Sequence, residues 1–150
     1  MHLFLIGANS YILKSIRAVL PKDGNYTSFA SQHGNEVKNY SELQFETTKN
    51  ANAILVVVAT PSLQNARNGV DANLLELIKN TRNRKILISS IHASSQPMNS
   101  QDSNKRHYIE NLRTAEKIFS AVNNSAILRV ANYISRPDTL SKSQKATLSR

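Results

Sequence analysis

Short apolar clusters alternate with amphipathic stretches along most of the chain. Four clusters have the short, strongly β-favouring apolar character of buried parallel strands, and they occupy residues 2–8 (HLFLIGA), 53–59 (AILVVVA), 85–91 (KILISSI) and 126–134 (AILRVANYI). Three stretches between them repeat apolar residues at the spacing of one helix face, and these are 11–20, 71–80 and 108–122. Strands that alternate with helices in this way predict a parallel sheet joined by right-handed crossovers.

The predicted architecture is one α/β domain over residues 1–134, a Rossmann-like parallel sheet flanked by helices. Residues 21–50 add a strand at YTSFA and one short further element, while the polar segment 94–104 is expected to be a surface loop. Residues 135–150 are basic and Ser-rich without a core face, and are expected to be a flexible tail or a last element without its context. In such a sheet the ligand crevice lies at the carboxyl ends of the strands.

The composition narrows the classes of protein that fit. The chain has 150 residues, 40% of them hydrophobic, and no cysteine, which excludes disulfides, thiolate metal sites and a cysteine nucleophile. The longest apolar run is far shorter than the roughly 20 residues that cross a bilayer, so no membrane segment and a cytoplasmic location are expected. A net charge of +9 favours anionic partners. The basic residues are scattered without a block or an aromatic series, so specific nucleic-acid binding is not expected, and the four histidines lack metal-ligand spacing.

Gly7 stands where the first predicted strand must turn into the helix over 11–20. A helix that begins at such a turn presents backbone N–H groups and the positive end of its dipole to a phosphate. Dinucleotide-binding loops use three glycines here, and at that spacing this chain has Gly7, Ser10 and Leu13. Ser10 suits a helix N-cap, whereas Leu13 places a branched side chain where close packing is expected. The loop is interpreted either as a weakened phosphate site or as a plain strand-to-helix turn.

Six motifs follow one another along the chain: GANSYI, VVVATPS, NGVDANLLELIKN, KILISSIHAS, YIENLRTAEKIF and LRVAN. In this order, from Met1 to about Pro137, they resemble the NAD-dependent epimerase/dehydratase family, the extended branch of the short-chain dehydrogenases and reductases. The resemblance implies NAD or NADP as the cofactor, a nucleotide or nucleotide sugar as the ligand, and a homodimer. The cofactor-binding positions that it implies are Gly7, Ala8, Asn9, Ser10, Tyr11, Ile12, Ala59 and Thr60. Neither an acidic residue nor an arginine follows the YTSFA strand closely, so the choice between NAD and NADP is not predicted.

The resemblance also implies an active site that has lost one member. Tyr108 stands at the position of the family's acid–base tyrosine, and Ser90 at that of the serine that holds the substrate oxygen. One helical turn later the family has a lysine that binds the cofactor ribose and lowers the tyrosine pKa, whereas this chain has Leu112. Because leucine supplies neither a charge nor a donor, weak or lost cofactor binding and little redox catalysis are expected. Without the resemblance, Tyr108 and Leu112 would simply begin a core-facing helix stripe with Ala115 and Phe119.

Three functions remain open from the sequence. The first is a Rossmann-fold protein with a degraded nucleotide loop and Tyr–Lys pair, which binds NAD or NADP weakly or not at all. The second is an active NAD(P)-dependent epimerase, dehydratase or reductase in which another group or another chain replaces the lysine. The third is a basic interaction module on the same scaffold, since a fold does not determine a function.

Overall fold

Six short segments form one parallel sheet. The structure is a computed structural model and describes residues 1–7, 10–22, 24–30, 37–58, 72–94 and 103–131. The strands are β1 (Leu3–Ile6), β2 (Tyr26–Ala30), β3 (Val37–Asn39), β4 (Ile54–Val58), β5 (Arg84–Ser90) and β6 (Ser125–Val130). The expected burial is wrong for β6, because this strand lies at the edge of the sheet and none of its residues is buried. The four apolar clusters of the sequence nevertheless form β1, β4, β5 and β6, and the YTSFA segment forms β2. The predicted α/β class with a parallel sheet is therefore confirmed.

Four described helices flank this sheet. They are α1 (Tyr11–Val19), α2 (Leu43–Lys49), α3 (Ala72–Asn80) and α4 (Ser103–Ser120), and 3₁₀ turns follow β3 and β5 at Tyr40–Glu42 and Ile91–Ser94. The predicted loop over 94–104 is wrong at both ends, because Ser94 belongs to the second 3₁₀ turn and Ser103 and Asn104 begin α4. The start of α4 is exposed and polar, so it shows no apolar period in the sequence. Among the described helices, none is long and apolar enough to cross a membrane.

The strand order determines where a ligand crevice lies. The sheet runs β3-β2-β1-β4-β5-β6, and all neighbouring strands are parallel. The strands β1 and β4 are neighbours, and the chain leaves them toward opposite edges of the sheet. In open α/β sheets, ligands bind outside the carboxyl ends of the strands at such a switch point. Ile6 and Val58 end the two strands here, so the crevice expected from the fold begins at these residues.

The two faces of the sheet have separate cores. Helices α2, α3 and α4 cover one face, where the buried side chains include Phe4, Phe29, Leu55, Leu87 and Phe119. Helix α1 covers part of the other face, where Leu13 packs with Leu5, Val58 and Ile88. Helix α1, which begins beside the crevice, is thus fixed on the sheet by its own cluster.

Asn83 joins the segments that precede β4 and β5 at the amino edge of the sheet. Its side chain is 2% exposed. The amide nitrogen donates to three backbone carbonyl oxygens, 2.9, 3.1 and 3.1 Å away, which belong to Asn50, Ala51 and Ala53. Beside it, the buried Lys85 ammonium donates to the carbonyl oxygens of Thr81 and Asn83 at 2.7 and 3.0 Å, and burial lowers the pKa of Lys85. The hydrogen bonds of Asn83 therefore connect the segments that precede β4 and β5, and those of Lys85 stabilise the segment that precedes β5.

Candidate functional site

Gly7 makes the sharp turn that the sequence predicts at the end of β1. Its φ of +94° lies in the region that favours glycine. The Gly7 N–H donates to the carbonyl oxygen of Phe29 at 3.0 Å, and its own carbonyl oxygen accepts the N–H of Ser10 at 2.8 Å. The Ser10 hydroxyl then accepts the N–H of Leu13 at 3.3 Å and caps α1, as predicted. A capped helix N-terminus therefore lies beside the switch point, an arrangement that suits a phosphate.

The other cofactor-binding positions are described in part. Ala8, Asn9, Ala59 and Thr60 lie outside the described residues, and Tyr11 is described only as the first residue of α1. The Ile12 side chain is partly buried against the cluster beneath α1.

Leu13 occupies the place of the third glycine and is completely buried. Its side chain packs with Leu5, Val58 and Ile88, one from each of three adjacent strands. A glycine there would let helix and strand approach closely, whereas here the contact is made by interdigitated side chains. The loop thus has the bend and the helix cap of a dinucleotide-binding turn but has a core residue at the position of the third glycine.

Gly7→Ala is expected to lower the free energy of unfolding by about 1–3 kcal/mol, because alanine is strained at this φ. An added Cβ would meet Val58 at 3.7 Å, an ordinary contact, so the loss would come from the backbone conformation. Urea unfolding followed by circular dichroism measures it. Gly7→Asn is the control, since asparagine tolerates positive φ better; equal losses in both variants would point to crowding instead of φ.

Tyr40 is a residue near this turn that the sequence analysis missed. It begins the 3₁₀ turn after β3 and packs against the larger core cluster. Burial raises the pKa of Tyr40, while the nearby backbone of Gly7 acts in the opposite direction. The phenol therefore lies beside the Gly7 turn. A tyrosine after a three-residue strand carries no sequence signal that would have indicated this.

Ser90 and Tyr108 are brought to one end of the sheet, with His92 between them. Ser90 ends β5 and is 4% exposed, and its hydroxyl oxygen accepts the backbone N–H of His92 at 3.3 Å. The His92 ring meets the Tyr108 ring edge-on, with 6.1 Å between their centroids. Arg113 of α4 donates to the carbonyl oxygen of Ala93 at 3.0 Å, so the 3₁₀ turn and the helix are joined. No catalytic role for His92 is predicted from the sequence.

Leu112, which stands where the epimerase/dehydratase family has its lysine, is a core residue in this chain. Leu112 has no exposed surface, and one and two turns further along α4 Ala115 and Phe119 are buried as well. The core-stripe interpretation is thus confirmed for these three residues. Tyr108, at the start of the stripe, is only half-buried and lies at the carboxyl edge with His92. One helical turn after Tyr108, this chain therefore has a packed aliphatic side chain and no charge.

An ion pair joins α4, which contains the motif YIENLRTAEKIF, to β6, which contains the first residues of the motif LRVAN. Arg129 of β6 binds Glu116 of α4 with two hydrogen bonds of 2.9 and 2.6 Å. The Arg129 hydrogen bonds are the main cause that lowers the pKa of Glu116, and burial of the carboxylate opposes them. The Glu116 side chain is 10% exposed and that of Arg129 48%. The pair connects α4 to the strand next to β5.

Glu116→Gln is expected to lower the melting temperature at neutral pH, and the difference from the unaltered protein should shrink in acid. Because the folded-state pKa of Glu116 lies below its usual 4.5, the stabilisation is present above that value and is lost as the pH falls through the folded pKa. Thermal unfolding between pH 7 and pH 3 measures this. Glu76→Gln is the control, because its pair with Lys79 is exposed on both sides and such pairs contribute little. A constant gap down to pH 3 would contradict the assignment.

Other site types find no support in the described residues. No group of three metal-ligating side chains occurs in them. A cavity of about 590 Å³ lies between α2 and α3, lined by Thr47, Thr81 and Asn83 among others. It opens at the amino edge, away from the switch point, and all three of these side chains form hydrogen bonds to backbone carbonyl oxygens.

Comparison with models of known protein families, with curated proteins and with solved structures found no match in any of the three. The likeness to the epimerase/dehydratase family therefore stays a prediction from the motifs. The fold and the geometry of the crevice are the observations on which a function can be argued.

Proposed function

We propose that this protein is a Rossmann-like nucleotide-binding protein that binds NAD, NADP or a related nucleotide weakly and carries out little or no hydride transfer. The observation that carries the proposal is the Gly7 turn, which delivers the Ser10-capped start of α1 to the switch point between β1 and β4. A phosphate there would meet the N–H groups of the helix start. The weakness follows from Leu13, which fills the place of the third glycine.

Leu112 supports the second half of the proposal. Hydride-transferring members of the epimerase/dehydratase family, which this chain resembles, have a lysine at this position that binds ribose and lowers the tyrosine pKa. Here the position is buried and aliphatic, and it offers a ribose hydroxyl no partner. Tyr108 and Ser90 would then be remnants of an active site that still line the crevice.

Titration of the purified protein with NADH and NADPH tests this function. Binding is followed by nucleotide fluorescence and by the melting temperature, because a ligand that binds only the folded state raises it. Saturation at high micromolar to millimolar concentration is expected. If neither nucleotide changes either signal at millimolar concentration, the proposal of nucleotide binding is rejected. The basic interaction module then becomes the better explanation.

A second candidate function is favoured by the ring contact between His92 and Tyr108. It is an active NAD(P)-dependent enzyme in which a group other than lysine serves the tyrosine. Turnover of a nucleotide sugar by the unaltered protein, abolished in Tyr108→Phe, would establish it and would overturn the proposal of a degraded site.

The resemblance to the family also implies a homodimer, which we propose on that basis. Size-exclusion chromatography with light scattering measures the mass of the protein in solution.

A further inference from the structure

The cluster of Ser90, His92 and Tyr108 lies at the end of β5, two strands away from the Gly7 turn at the end of β1. Strand β4 separates β1 from β5 in the sheet. Adjacent strands are about 4.8 Å apart, so the carboxyl ends of β1 and β5 are roughly 10 Å apart. A dinucleotide in this fold lies across the switch point. A dinucleotide whose diphosphate lies at the Gly7 turn would therefore place the half beyond the diphosphate at the end of β5.

The structure holds His92 firmly at that place. The backbone N–H of His92 donates to the Ser90 hydroxyl oxygen, and the carbonyl of the next residue, Ala93, accepts from Arg113 of α4. The turn is thus fastened to both β5 and α4. The His92 side chain itself is exposed, and its ring stands edge-on to the ring of Tyr108 at 63°. Its position is fixed while its ring is accessible.

The chemistry of these three side chains suits a hydroxyl-bearing group. The Ser90 hydroxyl oxygen accepts a backbone N–H and keeps its own proton to donate. A phenol and an imidazole can each donate and accept. Leu112 can do neither, so a polar contact to the distal group must come from another residue.

We propose that His92 binds the distal, hydroxyl-bearing half of the nucleotide, beside Ser90 and Tyr108. This inference rests on the proposed nucleotide-binding function. Leu112, one helical turn after Tyr108, cannot form a side-chain hydrogen bond to the ligand. His92 supplies such a hydrogen bond at the end of β5. Its contribution is to binding, and it applies only to ligands that extend beyond the diphosphate.

Three ligands and two variants test the assignment. ADP ends at its diphosphate, whereas ADP-ribose and NADH extend beyond it. His92→Ala is expected to weaken ADP-ribose and NADH by roughly two- to tenfold, the effect of one lost hydrogen bond, and to leave ADP unchanged. His107→Ala is the matched control, because His107 lies on α4 with an exposed side chain that pairs with Glu110. This variant should bind all three ligands as the unaltered protein does.

Nuclear magnetic resonance of the histidine rings gives a second readout on the unaltered protein, and it holds even if the variant does not fold. ADP-ribose should shift the ring signals of His92 and leave those of His107 in place, and ADP should shift neither. If all ligands bind His92→Ala normally, or if ADP is weakened as much as ADP-ribose, the inference is overturned while the nucleotide-binding function stands. If no nucleotide binds the unaltered protein, the proposed function itself fails and the inference fails with it.

Discussion

Leu112→Lys is expected to destabilise the protein by about 3–5 kcal/mol at neutral pH and to leave the tyrosine without a useful partner. Leu112 has no exposed surface, so an ammonium there would be removed from water. A buried lysine has a lowered pKa, and its destabilising effect therefore shrinks as the pH rises toward the lysine's ordinary value. Urea unfolding at pH 7 and pH 9 measures both effects.

Leu112→Met is the control for this substitution, because it nearly conserves volume and should cost less than about 1.5 kcal/mol. A Leu112→Lys variant that is as stable as the unaltered protein and binds NADH more tightly would show that position 112 opens into the crevice. The family-like pair would then need only one substitution to be restored. Such a result would also weaken the proposal that the position has become part of the core.

Asn83→Leu is expected to lower the free energy of unfolding by about 2–4 kcal/mol, because an unpaired buried polar group costs about 1–3 kcal/mol. The leucine would match the branching of the asparagine side chain but would remove the donor that the carbonyl oxygens of Asn50, Ala51 and Ala53 now share. Of these three, the carbonyl of Asn50 would keep the N–H of Ala53 as a donor. Chemical denaturation measures the loss. It should appear without any change in nucleotide affinity, because Asn83 lies at the opposite edge of the sheet from Gly7.

Asn80→Leu provides a matched change three residues away. Asn80 is exposed at the end of α3, and surface substitutions of this kind usually change stability by less than about 0.5 kcal/mol. A similar loss in both variants would mean that added apolar surface, and not the missing donor, causes the effect. The assignment of Asn83 as the tie between the two segments would then be wrong.

The buried strands were predictable because their signal is local. The clusters that form β4 and β5 are continuous runs of β-branched and aliphatic residues, which few other structures accommodate. The start of α4 was missed because Ser103 and Asn104 face solvent and follow no apolar period. The three-residue strand β3 was not predicted as such for a related reason, since it is too short to show alternation.

The candidate site was predictable only in part. Gly7 and Ser10 could be assigned because a strand-to-helix turn demands a particular backbone and a particular cap. His92 and Tyr40 could not be assigned, since each is placed by contacts between segments distant in sequence, such as the edge-on contact of His92 with Tyr108. Whether Leu112 faced a crevice or a core was also undecidable from its spacing, because both arrangements use the same helix face.

The packing of Leu13 makes a glycine at this position costly. Leu13→Gly would open a void among Leu5, Val58 and Ile88 and would weaken α1 itself. Larger neighbours on the strands would have to be introduced together with it to fill the space. A tight glycine turn would therefore require several coordinated changes, and single-residue engineering of the proposed nucleotide binding should begin elsewhere than at position 13.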